Sequence, residues 1–298
     1  MKRRAALATS AAFLMPMTSN SSAFNRLKPS APLPVLFIGH GSPMNAIEDN
    51  AYRRSWQKLG AELLAQHEKP QLILCISAHW LTRGWHLTAM EQPKTIHDFG
   101  GFPQELFAQQ YPAPGAPAVA RDIGHYLRPA APPGSDMAIG LDQSWGLDHG
   151  TWSVLKPMFP AANIPVMQLS MDYNRPAAEH YALGQALSKL RERGVLIVGS
   201  GNVVHNLRAA RFDAPAAQPF DWAQEFDAIT AEHIANCNLA ALANFQKLGS
   251  LAANAHPTFE HYLPLLYAAG AVHKGEQARM FNTDFTGAAI AMRSVVWG

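Results

Sequence analysis

The chain has 298 residues, a formal net charge of +2 and 48% hydrophobic residues. That length suffices for a sizeable core, and that composition excludes a disordered chain. Past the extreme N-terminus no basic block exists, which excludes a nucleic-acid partner, because phosphate binding needs clustered Lys and Arg.

Residues 1–29 differ from the rest. Lys2, Arg3 and Arg4 form a basic head, Ala5 to Met17 is apolar, and Ser21-Ser22-Ala23 has the character of a small-residue cleavage site. This order predicts an export leader, and the Arg3-Arg4 pair suits the twin-arginine route. The protein is then expected in the periplasm, or in the cytoplasm if the leader is not a signal. N-terminal sequencing of protein recovered from its native cell is expected to begin near Phe24. An intact Met1 in a cytoplasmic fraction would refute export. The apolar stretch is too short to span a membrane, and no other run reaches about 18 apolar residues.

Residues 30–298 read as one catalytic domain, with no internal repeat and no long linker. Val35 to Ile38 is a first buried strand, and Asn50 to Gln66 a helix that Asp49 is placed to cap. Leu72 to Ile76 is a second buried strand; Cys75 within it reads as a small hydrophobe. With only Cys237 besides, no disulfide framework is possible. Helices are expected over Pro103 to Gln110 and over Ala116 to Leu127, the latter stopped by Pro129. Pro165 to Leu169 is a strand. Pro176 to Arg193 is a helix ended by Gly194, and Val195 to Val198 a further strand. Asp221 to Ala235 and Tyr262 to Ala269 are helical, the second open to interruption at Pro264, and Ala289 to Val296 is a closing strand. Strands alternating with helices predict an α/β fold: a mostly parallel sheet covered on both faces, with any ligand at the carboxyl ends of its strands.

That rule sorts the thirteen histidines. His40 follows the first strand, His79 the second, and His205 lies beyond a third. One rim of the sheet would gather all three, and imidazole is a common ligand for zinc and iron. A lone histidine after a strand is usually a hydrogen-bonding residue; three at equivalent places point to one divalent metal. There is no HExxH and no CxxC, which excludes the local zinc signatures. Gly39 and Gly41 remove bulk beside His40, as for close approach of a substrate or ion; a tight turn or a phosphate nest is the duller reading. Asp148-His149-Gly150 sets a carboxylate beside a histidine in a loop. Either Glu260 or His261 could complete a facial site. His67, His86, His125, His180, His233 and His273 read as structural or solvated, and His256, before Pro257, as a turn residue.

Seven ordered segments give the pattern a likeness. They are GHGSPM at Gly39–Met44, SAHW at Ser77–Trp80, TIHDFGGFP at Thr95–Pro103, YPAPG at Tyr111–Gly115, WGLDHGTW at Trp145–Trp152, SGNVVHNL at Ser200–Leu207 and EHYLPLLY at Glu260–Tyr267. Together they resemble the class III extradiol ring-cleavage dioxygenases, specifically the 4,5-DOPA dioxygenase extradiol family, over about residues 33–297. The leader and the stretch Leu64-Ala65-Gln66-His67 lie outside the likeness.

The resemblance implies a single three-layer αβα domain. It implies His40, His79 and His261 as metal ligands, His205 as a fourth ligand or an acid/base beside the metal, and His149 as a second pocket histidine that handles protons or holds a substrate oxygen. Relatives that cleave protocatechuate at the 4,5 bond hold Fe(II) with two histidines and a glutamate, which leaves Glu260 as an alternative to His261. Members of the DOPA group are also described with zinc, so zinc is expected in protein as isolated and iron for ring cleavage. The implied partners are a small catechol and O₂; no feature specifies an oligomeric state. His97, Phe99 and Trp80 are candidates for the pocket wall. Two other readings compete: a zinc-dependent hydrolase on the same histidines, and a non-catalytic binding module of the Memo type.

Overall fold

The computed structural model describes residues 26–127, 139–214 and 216–298. The basic head, apolar stretch and small-residue site of the expected leader lie outside the described residues, as does Pro129. The described residues include the end of the segment assigned to the leader: Leu27 is buried in the core, and Lys28 exchanges two main-chain hydrogen bonds with the Gln71 side chain.

The strands that build the core are β1 (Val35–Gly39), β2 (Leu72–Ser77), β3 (Val166–Gln168), β4 (Val195–Gly201), β5 (Ala278–Phe281) and β6 (Ser294–Trp297). They form one sheet in the order β3-β2-β4-β1-β6-β5. The first four pair in parallel, and β6 is antiparallel to both its neighbours. The parallel strands are buried along their whole length and read as continuous apolar runs, as expected for a sheet with two covered faces.

Side chains of successive strand residues point to opposite faces and split the core in two. Leu36, Ile38, Ile73, Cys75, Leu196 and Val198 pack on one face with α1 (Ala51–Gln66) and α2 (His149–Met158). Val35, Phe37, Leu72, Leu74, Val195 and Ile197 pack on the other. There they meet α3 (Ala177–Leu187), α4 (Asp221–Ala235) and α5 (Leu263–Gly270). This is the expected three-layer αβα arrangement. Among the described residues, no helix is long and apolar enough to cross a membrane.

Several expected elements change at their ends. Asn50, not Asp49, caps α1: its side chain accepts the Arg53 N–H at 3.0 Å, while Asp49 pairs with Arg54 at 2.6 Å. The 103–110 helix shrinks to Gln104–Phe107. The helix expected over 176–193 stays α-helical to Leu187 and tightens to a 3₁₀ turn over Ser188–Arg193, ended by Gly194 at φ +66°. Pro264 does not interrupt a helix, because it sits in the first turn of α5, where its missing N–H costs nothing. The closing strand is confined to Ser294–Trp297; Ile290–Ala291 pairs instead with Phe285–Thr286.

The loop expected around His149 is the N-terminus of α2. Asp148 caps it by accepting the Thr151 N–H at 3.1 Å. This helix is buried nearly all round, so it shows no 3.6-residue polar face that a pattern search would find.

Candidate metal centre

Strand β4 lies between β1 and β2, in register at Ile38–Ser200 and Ser77–Ser200. The carboxyl ends of three adjacent strands therefore open onto one rim. His40 leaves β1 there, with its N–H on the Gly201 carbonyl at 3.0 Å and its own carbonyl accepting Asn45 Nδ2 at 3.1 Å. His79 leaves β2. Beyond β4, the Asn202 N–H donates to the His261 carbonyl at 2.8 Å, which docks the segment before α5 against the strand end. A Cβ at Gly201 would collide with that same carbonyl.

The result is a cluster of three imidazoles. Candidate ligand atoms of His40, His79 and His261 all lie within 4.8 Å of one another. The two Nε2 atoms of His40 and His79 are 3.3 Å apart. Two nitrogens each about 2.1 Å from one ion, at tetrahedral or octahedral angles, would stand roughly 3.0–3.4 Å apart. The donor set thus fits a single divalent ion.

Each imidazole is also held from behind. His40 Nδ1 lies 3.0 Å from Ser200 Oγ. That hydroxyl donates to the Gly150 carbonyl at 2.5 Å, so it accepts from His40, whose Nε2 keeps its lone pair. His79 Nδ1 stands 3.5 Å from Asp98 Oδ2. His261 Nδ1 stands 3.1 Å from Glu260 Oε1. Outer partners of this kind orient metal-binding imidazoles and fix their tautomer. Glu260, an alternative ligand in the sequence, is thus placed behind His261. Burial, then mutual repulsion with His79 and other site histidines, holds His40 well below the usual histidine range. Burial and repulsion from His205 and His79 do the same for His261. Burial and His149 push His79 down to about 3, against an opposing pull from Asp98. All three imidazoles are neutral near pH 7, the form that binds a metal.

His205 stands beside this triad. Its ring stacks on His261, with centroids 3.4 Å apart and planes within 8°. It shares candidate ligand geometry with Glu260 and His261, not with His40 and His79. Burial and the neighbouring His256 and His149 push it down to about 3. His149 lies on the other side, its ring centroid 3.8 Å from that of His79. Gly150 permits this approach, since a Cβ there would come within 2.9 Å of His79 Cδ2.

The histidines open into a cleft of ≈ 680 Å³, walled by Phe99, Phe102 and Ile290, with exposed Leu207 and Phe212 among its lining. Of the other expected wall residues, His97 turns to the Gln109 carbonyl at 2.9 Å, and Trp80 is buried against Trp145. Asp98, between His97 and Phe99, lines the cleft instead. Asp148 turns away from it: its carboxylate accepts from Ser77 at 2.7 Å and Gln168 at 2.6 Å, a buried structural role. The glycines beside His40 also serve packing, and Gly41 lines the cleft as well. A Cβ at Gly39 would meet the Met292 carbonyl at 2.6 Å, and one at Gly41 the Met292 sulfur at 2.5 Å. His180 and His256 are structural, bonded to Tyr267 at 2.7 Å and to the Val203 carbonyl at 2.6 Å. His256 is a fully buried helix C-cap, more enclosed than a turn residue.

Residues 34–292 match the family model described as the catalytic LigB subunit of aromatic ring-opening dioxygenase. The chain belongs to this family. As a LigB-family chain it is an oxidoreductase of the ring-cleaving dioxygenase type. It is similar to a 4,5-DOPA dioxygenase extradiol of Escherichia coli K12, 47% identical over 248 residues that cover 81% of this chain and 86% of that protein. A protein of the same name from Beta vulgaris is 35% identical over 252 residues, covering 84% of this chain and 91% of the relative. A solved structure of an uncharacterized Escherichia coli K12 protein superposes with a TM-score of 0.73 at 40% identity, over 89% of this chain and all of that one. The LigB match spans every strand that brings a histidine to the rim.

Proposed function

We propose that the chain is a metal-dependent extradiol dioxygenase that opens a catechol ring of the DOPA type beside its hydroxyl pair and yields a semialdehyde. The single observation that carries this reading is the convergence of His40, His79 and His261, each with its Nδ1 facing an outer partner. In it, these three hold the metal, and His205 and His149 move protons. Fe(II), when bound, supplies open positions for both catechol oxygens and O₂ and a route for an electron between them. Zinc has no redox chemistry, and we assign it to protein as isolated.

The chain's own groups supply the rest. Phe99, Phe102 and Ile290 offer apolar walls to an aromatic ring and limit the water around it. His205 is neutral at rest, so it can accept a hydroxyl proton from a catechol. Its burial disfavours the charged form, and the catecholate left behind would offset that cost while it stays close. The same proton would then be available to a reacting oxygen in the cleft.

Metal-free protein loaded anaerobically with Fe(II) is expected to take up one O₂ per catechol, with a yellow product, when air is admitted to DOPA or a simpler catechol. Zinc-loaded protein should take up none. Ester turnover by zinc-loaded protein under nitrogen, with no oxygen uptake by the iron form, would replace this reading with the hydrolase. Catechol binding without either turnover would leave a binding module.

A further inference from the structure

We infer that Asp98 is a positioning residue shared by two site histidines, one carboxylate oxygen orienting His149 and the other orienting His79. Asp98 Oδ1 lies 3.0 Å from His149 Nδ1 and accepts the His149 main-chain N–H at 2.9 Å. Asp98 Oδ2 lies 3.5 Å from His79 Nδ1. Among the described residues, Ser200 stands at hydrogen-bond distance from His40 and Glu260 from His261, one imidazole each.

Chemistry gives the arrangement a consequence. An ionised carboxylate accepts hydrogen bonds and donates none. Asp98 Oδ1 already accepts the His149 main-chain N–H, and an acceptor facing both rings would place the ring proton of each on the Nδ1 that faces it. Both rings then carry their lone pair on Nε2. For His79 that is the nitrogen 3.3 Å from His40 Nε2, at the metal-facing side. For His149 it leaves the other ring nitrogen able to accept a proton in the cleft.

A positioning group must itself be held. The Ile96 N–H donates to the Leu147 carbonyl at 2.7 Å, and Trp152 Nε1 donates to the Ile96 carbonyl at 2.8 Å. On the other side of Asp98, Phe99 packs against Phe102, Phe107 and the His149 ring. Asp148 cannot take over, because its oxygens are committed to Ser77, Gln168, Trp145 and Thr151.

The inference rests on the metal reading given above, and its test separates the two. Asp98→Asn keeps the shape but leaves one acceptor oxygen, which cannot serve both rings. Its zinc affinity, measured by competition with a chelator, is expected to fall about 10–100-fold, the usual effect of losing an outer partner. At saturating Fe(II) its kcat should also fall. In a His149→Gln background Asp98→Asn should still weaken zinc but take little more from kcat, and Asp98→Glu should recover part of both losses. Wild-type zinc affinity in Asp98→Asn would overturn the inference while leaving the proposed function intact. Wild-type protein that binds no metal would overturn the metal reading itself. If Asp98→Asn does not fold, ¹⁵N-histidine NMR of zinc-loaded wild-type protein decides: the inference requires His149 protonated on Nδ1, and a proton on Nε2 refutes it.

Discussion

Alanine at His79 is expected to leave a folded protein that has lost its metal and, with it, ring cleavage. The side chain sits past the end of β2 and faces the cleft, 19% exposed, so its removal opens no void in either core. What it removes is one of three converging nitrogens. Loss of an outer partner alone costs about 10–100-fold in metal affinity, and loss of a ligand should exceed that. Metal analysis of purified His79→Ala should find well below one equivalent where wild type holds one, with a thermal melt that matches metal-free wild type. His40→Ala should lose metal as well, but it is the less clean variant. His40 is fully buried, and its removal strands Ser200 Oγ without the donor it accepts from, at about 1–3 kcal/mol of stability. A folded His79→Ala that keeps a full equivalent would strike His79 from the ligand set.

Glutamine at His205 is expected to keep the metal and lose about 10²–10⁴-fold in turnover, the usual size of a missing general acid or base. His205 is anchored by its main chain, with its N–H on the Ala255 carbonyl at 2.9 Å, so the substitution leaves the backbone in place. Its ring lies flat on His261 and outside the His40–His79–His261 group, so the triad keeps all three corners. Three protein ligands also leave the positions that a bidentate catechol and O₂ need. Anaerobic titration of His205→Gln with Fe(II), followed by catechol binding, reads the two roles apart. Metal occupancy that falls together with activity would make His205 a ligand. Wild-type turnover in a metal-replete variant would return it to a structural role.

The strand-end rule found His40, His79 and His205 because a parallel sheet exposes its chemistry at one end, and a strand end is visible as an apolar run that stops. For His261 the sequence leaves the choice with Glu260 open. His261 precedes a helix, and the Asn202–His261 main-chain bond docks it at the rim. The likeness to the family favours it. Asp98, between His97 and Phe99, carries no such signal, because a carboxylate in a loop has no periodicity to betray it. Of its two neighbours, both candidates for the wall, Phe99 lines the cleft and His97 turns away.

Local residue patterns by themselves determined the layers and the candidates. Apolar runs of β-branched and aliphatic residues must be buried on both faces, and caps and glycines end helices wherever they fall. Tertiary structure alone decided which groups meet. It put β4 between β1 and β2, so that Ser200 reaches both His40 and the Gly150 carbonyl. It also turned Asp98 toward two histidines and Asp148 toward none. Hydrogen bonds between residues 50 or 160 positions apart depend on strand order and on the direction each chain leaves the sheet, and neither is encoded in any local pattern of residues.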